Sequence, residues 1–282
     1  MNKTLIIPCL LLAAITYGQN NLNKQAKQIE EEGKLLYSSE VSSWHGTDIF
    51  VAQYKNLEKI GGYFSYTEED TSRCIFFSKE ETPEVLGTIS FDSTHDPRTA
   101  VLNLTPRKLT PTETSLYEIR KLALKEINSD TIFKTYSNTN LNLIPLVKGD
   151  EKKVYVLTGP TQNGVIIFGN DYLLTFDKDN NLTCKKQLHR NIIPIYYGGE
   201  DEKNAETTMH NHSEETGHFI TATDICTLML YEKYANWKSH IVVSKKYMNT
   251  WNCETNKLFV LPMDVVKKID KDQKKRKKKK NK

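Results

Sequence analysis

Thr208–Thr227 concentrates side chains that can hold a metal. It contains three of the seven histidines, His210, His212 and His218, and Asp224 lies near its end. On a strand, His210 and His212 at i and i+2 point to the same face and can share one ion. Asp224 falls in the first turn of an expected helix, Ala222–Tyr234, which can fold back beside that strand. Two imidazoles, one carboxylate and a fourth position left to water make a catalytic zinc arrangement, in which the ion acidifies the water and polarises a carbonyl. A simpler description fits the same residues. Thr221-x-x-Asp224 is a capping box, with the threonine capping a helix and the acid at N3 favouring its N-terminus; the histidines then become surface loop residues.

His210-Asn211-His212 followed by Thr221-Ala222-Thr223-Asp224 resembles the JAMM metalloprotease motif, H-x-H, a gap, then S-x-x-D and a helix. The resemblance implies zinc bound by His210, His212 and Asp224, with Thr221 in the place of the serine that stabilises the oxyanion. It also implies an upstream glutamate acting through the bound water, and a protein or peptide substrate cleaved at peptide or isopeptide bonds. Ser213 stands where the family carries proline, and no glutamate occurs between Glu151 and Glu200. The chain is otherwise similar to exported bacterial proteins without an assigned activity. The alternative function is therefore a non-catalytic binding or structural protein of the cell envelope.

The elements that must position this cluster belong to an α+β fold of antiparallel strand meanders with a few packing helices. Asn20–Ser39 has a partial apolar stripe and predicts a helix. Four short β-branched and aromatic runs, starting with Ile49-Phe50-Val51-Ala52, predict a meander over Asp48–Asp92. Thr110-Pro111-Thr112-Glu113 is a helix start with cap, proline and capping-box acid in place, and the helix should reach about Asn128. Val154–Leu157 and Gly164–Phe168 flank a connection of hairpin length. Asp177-x-Asp179-x-Asn181 has the opening spacing of a calcium loop, but Leu182 and Leu188 occupy the positions that require Gly and Glu, so it predicts a turn. His189 joins the cluster only if its strand neighbours it. His45 and His95 stand alone beside turns and are expected to be structural.

The N-terminus predicts export. A short basic start, the apolar run Leu5–Ile15 and small residues Thr16 and Gly18 form a bacterial signal peptide over 1–18, cleaved after Gly18, with the mature chain in the periplasm or secreted. The run is too short to span a bilayer. Cys74, Cys184, Cys226 and Cys253 then remain, as bridges or buried thiols, with no CxxC to suggest a thiolate zinc site. The expected organisation is a helix and meander over 19–108, an α+β region with the cluster over 109–265, and a disordered basic tail over 266–282. The tail carries eleven Lys or Arg and two Asp, so the remainder of a chain of net charge +4 is at −5. Seven consecutive cations, Lys274–Lys280, suit loose attachment to an anionic envelope surface; nothing accompanies them that reads nucleic-acid sequence.

Overall fold

The computed structural model describes residues 6–198 and 205–280, with side chains described for 21–198 and 205–279. The expected leader at 1–18 thus lies outside the described side chains. Helix α1 runs Ile6–Gln53. Among the described residues no helix is long and apolar enough to cross a membrane.

The length of α1 corrects the expectation that Ile49-Phe50-Val51-Ala52 opens a meander; those residues are helical. A four-residue apolar run does not distinguish strand from buried helix. The buried stripe continues at helical spacing through Leu22, Ala26, Glu30, Gly33, Leu36, Ser39, Ser43, Gly46 and Phe50. Half of it is small or polar, so hydropathy alone does not display it. Gly33 has a definite role: a Cβ there would come 2.6 Å from Ile225 Cβ, on a second helix packed against α1.

Strands β1 (Ile60–Glu68), β2 (Thr71–Ser78), β3 (Glu84–Phe91), β4 (Val101–Asn103) and β5 (Arg107–Lys108) form the first antiparallel sheet. Helix α2 (Pro111–Ser129) follows, with Thr110 as cap and Glu113 completing the capping box. Strands β6 (Thr139–Lys148), β7 (Glu151–Pro160), β8 (Val165–Gly169), β9 (Tyr172–Phe176), β10 (Leu182–Gln187) and β11 (Ile192–Tyr196) divide between two sheets, β10-β9-β7-β6 and β11-β8. The expected hairpin between β7 and β8 therefore does not form. β7 has β6 and β9 on its two edges, and β8 pairs instead with β11. The Asp177–Asn181 turn does form, joining β9 to β10, with Asp177 Oδ1 accepting the amides of Asp179 and Asn181.

The last sheet combines β12 (Thr207–Asn211), β13 (Ser239–Val243), β14 (Tyr247–Asn252) and β15 (Lys257–Pro262). β12 runs parallel to β13. A parallel pair needs a crossover, and α3 (Ala222–Tyr231) supplies it. α1 is tied to both halves of the chain: Ser39 Oγ donates to the Ser65 carbonyl, and Glu30 accepts from Lys257 Nζ and from the Leu258 amide. The segment expected as a disordered basic tail is described as a helix, α4 (Met263–Lys280). Lysine and arginine have good helix propensity, and beyond the first turns the helix is solvated on all sides.

Candidate metal centre

The parallel β12–β13 pair builds the site from strand register. His210 lies opposite Val242 and Thr208 opposite His240. His212 continues the ladder, its amide donating to the Val243 carbonyl at 2.9 Å. The chain then turns and enters α3, whose capping box holds Asp224 at the carboxyl end of β12, where the crossover leaves the sheet. One carboxylate oxygen serves the cap: Asp224 Oδ2 accepts from the Thr221 amide at 2.9 Å and from Thr221 Oγ1 at 2.8 Å. The other, Oδ1, is buried without a hydrogen bond.

Imidazole nitrogens surround that oxygen. His189 Nε2 is 3.5 Å and His210 Nε2 3.7 Å from Asp224 Oδ1, while His212 Nε2 is 3.3 Å from Oδ2. His210 and His212 face each other Nε2 to Nε2 at 3.0 Å, and His189 faces His212 at 3.2 Å. All four residues are buried, and their ligand atoms lie within 4.8 Å of one another. The cluster is thus His189, His210, His212 and Asp224, a group able to bind a metal ion. A tetrahedral zinc with bonds of about 2.0–2.1 Å has ligand–ligand edges of about 3.3–3.4 Å; the separations in the cluster fall on both sides of that value.

The far side of each ring is also occupied. His212 Nδ1 lies 2.9 Å from the Phe219 carbonyl, which can only accept, so the ring proton sits on Nδ1 and Nε2 presents a lone pair. His210 Nδ1 is 2.8 Å from His240 Nε2, and His240 Nδ1 is 2.7 Å from Thr208 Oγ1. Donation from His210 to His240 and on to Thr208 leaves the His210 Nε2 lone pair inward. His189 Nδ1 is 3.4 Å from Asp171 Oδ2, and the Thr158 amide donates to Asp171 Oδ1 at 3.0 Å. Outer partners of this kind, carbonyl, imidazole and carboxylate, fix tautomers at metal sites.

Protonation follows the same layout. Burial pushes His210 down to about 4 and His240 down to about 3, so both rings are neutral, the coordinating form. Burial also opposes charge on His189, but Asp224 and Asp171 outweigh it and lift the ring to about 10. Burial works against the Asp224 carboxylate as well, yet the facing histidines hold it well below the usual range. A proton on His189 and a divalent cation are competing ways to balance one buried carboxylate.

Of the residues expected at the site, His210, His212 and Asp224 converge. Thr221 adjoins them, its hydroxyl engaged with Asp224 in the cap. His218 lies apart; its carbonyl accepts from Ser244 and Asn249. His95 is buried beside Ser72, in a structural setting. Cys74, Cys184, Cys226 and Cys253 are free thiols. His189 is the main addition, with Asp171 and His240 behind the ligands. No family model, curated protein or solved structure matches this chain.

Proposed function

We propose that the protein is a zinc-binding protein whose centre is closed, with His189, His210, His212 and Asp224 all acting as ligands and the ion cross-linking the β10–β11 loop, β12 and α3. The observation that carries this reading is the buried Asp224 Oδ1, which has no hydrogen bond and faces His189 and His210 Nε2, with His212 Nε2 against Oδ2. His210 and His212 have their other nitrogens hydrogen-bonded, and His189 Nδ1 lies 3.4 Å from Asp171 Oδ2. Four protein ligands are the mark of a structural zinc, whereas a catalytic zinc keeps a position for water. His189 stands at the position a water would take. No glutamate belongs to the cluster, and none of its residues lines the principal cavities among the described residues.

A JAMM-like hydrolase of peptide-type bonds is the second reading. It is favoured by the order of parts alone: H-x-H at the end of a strand, a helix opening on T-x-x-D, then a parallel strand. Zinc-loaded protein incubated with a mixed peptide library separates the two. A closed centre leaves the peptides intact; zinc-dependent cleavage lost in Thr221→Val establishes the hydrolase instead.

Export after cleavage at Gly18 is part of the proposal and rests on the leader-like N-terminus. N-terminal sequencing of protein recovered from outside the cytoplasm should begin at Gln19. α4 adds a surface for anionic envelope components, since Lys274–Lys279 is a solvated cationic stretch of helix. Deleting residues 273–282 should abolish low-salt binding to anionic vesicles; unchanged binding contradicts it.

A further inference from the structure

A cavity of about 370 Å³ lies between α1, β6, the end of β7, β8 and α3, with Tyr63 of β1 also lining it. Its lining contains none of the four metal-centre residues, so what it binds is independent of the zinc reading. Glu40, Trp44, Thr47 and Asp48 enter it from α1 at i, i+4, i+7 and i+8, one helical face. Asn140 and Asn142, i and i+2 on β6, face it from the opposite wall.

The chemistry of the lining is one-sided. Two carboxylates and several carboxamides line it with Trp44 and three tyrosines, and among the described residues no lysine or arginine does. Glu40 accepts one hydrogen bond, from Asn142 Nδ2 at 2.9 Å. Burial pushes its carboxyl up to about 7, against the opposing effects of Asn142 and of Arg120, which lies outside the lining. Trp44 is 44% exposed, a large aromatic left open to solvent. Its ring centroid is 6.0 Å from Tyr231 and 6.3 Å from Tyr234. A carboxylate hydrogen-bonded only to a neutral carboxamide, one helical turn from an open aromatic cluster, matches the needs of an ammonium group: charge contact from one side and a ring face from the other. The volume falls within the range of small-ligand sites.

We infer that this cavity binds an organic cation, an amine or quaternary ammonium compound, with Glu40 and Asp48 balancing its charge and Trp44 packing on its alkyl groups. A neutral polyol would use the carboxamides and rings but would bring no charge to Glu40 and Asp48.

Calorimetric titration of the full chain with choline, putrescine and 3,3-dimethylbutan-1-ol tests this, the last being the uncharged isostere of choline. Choline or putrescine should bind, and the isostere at least tenfold more weakly than choline. Glu40→Gln should weaken the cation at least tenfold, and Trp44→Leu should weaken choline more than putrescine. If Glu40→Gln does not fold by circular dichroism, Asp48→Asn, at an exposed position, takes its place, with a several-fold loss expected. Absence of heat with both cations, equal binding of the isostere, or unchanged affinity in the carboxylate variant overturns the assignment.

Discussion

The helices α2 and α3 open on the same device, and their carboxylates meet opposite conditions. At α2, Thr110 caps and Glu113 completes the box; at α3, Thr221 and Asp224 do the same. Both acids are buried. Glu113 is fully satisfied: Arg107 donates to both its oxygens at 2.6 and 2.7 Å, Tyr66 Oη at 2.9 Å and the Thr110 amide at 2.8 Å. Asp224 has its cap bonds from Thr221, but among the described residues its ion-pair partners are imidazoles, with no arginine or lysine, and one oxygen keeps no hydrogen bond. A buried carboxylate needs a counter-charge. Around Glu113 a side chain supplies it; around Asp224 an ion or a proton must. A capping box therefore fixes one oxygen of its acid, and what the other oxygen finds decides between structure and a metal site.

The largest effect should come from removing a ligand. His212→Ala should lose zinc and about 3–5 kcal/mol of unfolding free energy, because the ion's share of the folding energy goes with its ligand and a buried ring leaves a cavity; metal analysis and denaturant unfolding measure both. Arg107→Leu is the matching change at α2. It should cost about 2–3 kcal/mol, less than a fully buried pair because Arg107 is partly exposed, and leave zinc content unchanged. Loss of zinc in that variant would break the separation between the two sites.

The same pair carries a pH dependence. Burial raises the Glu113 carboxyl, but Arg107, the Thr110 amide and Tyr66 outweigh it and hold the group below its ordinary 4.5. The unfolded chain therefore binds the proton first as pH falls. The stabilisation is complete above that ordinary value and is lost as pH drops through the lower folded one. Urea midpoints between neutral pH and pH 3 should show this in the wild type and much less in Arg107→Leu.

Asp171→Asn tests the support behind His189. It should weaken zinc about 10–100-fold while the zinc-saturated protein keeps its fold, measured by competition with a chelating dye. The smallest effect is Thr110→Ala, an ordinary cap loss of about 1 kcal/mol with zinc unaffected. Thr221→Ala should exceed it and also weaken zinc, because Thr221 Oγ1 donates to Asp224 Oδ2.

Much of the fold and part of the site are legible in the sequence. Both capping boxes, the Asp177–Asn181 turn and the convergence of His210, His212 and Asp224 follow from local spacing. The helix over Asn20–Ser39 is legible too; the continuation of α1 to Gln53 escapes because its buried stripe there uses Ser43 and Gly46, which carry no hydropathy signal. His189 had a signal: once β9 and β10 form a hairpin with Gln187 opposite Tyr172, the residues just beyond meet Asp171. His240 had none, since its place beside His210 depends on a parallel register across thirty residues of chain.

The most direct test is the metal content of full-length protein, purified without chelators and dialysed against metal-free buffer, for the wild type and His189→Ala. One zinc per chain in the wild type is the expected result, with a marked fall in His189→Ala and a lower melting temperature for the wild type once the metal is stripped. No bound metal after zinc loading, with a melting temperature indifferent to chelator, would contradict a closed centre of three imidazoles and a carboxylate.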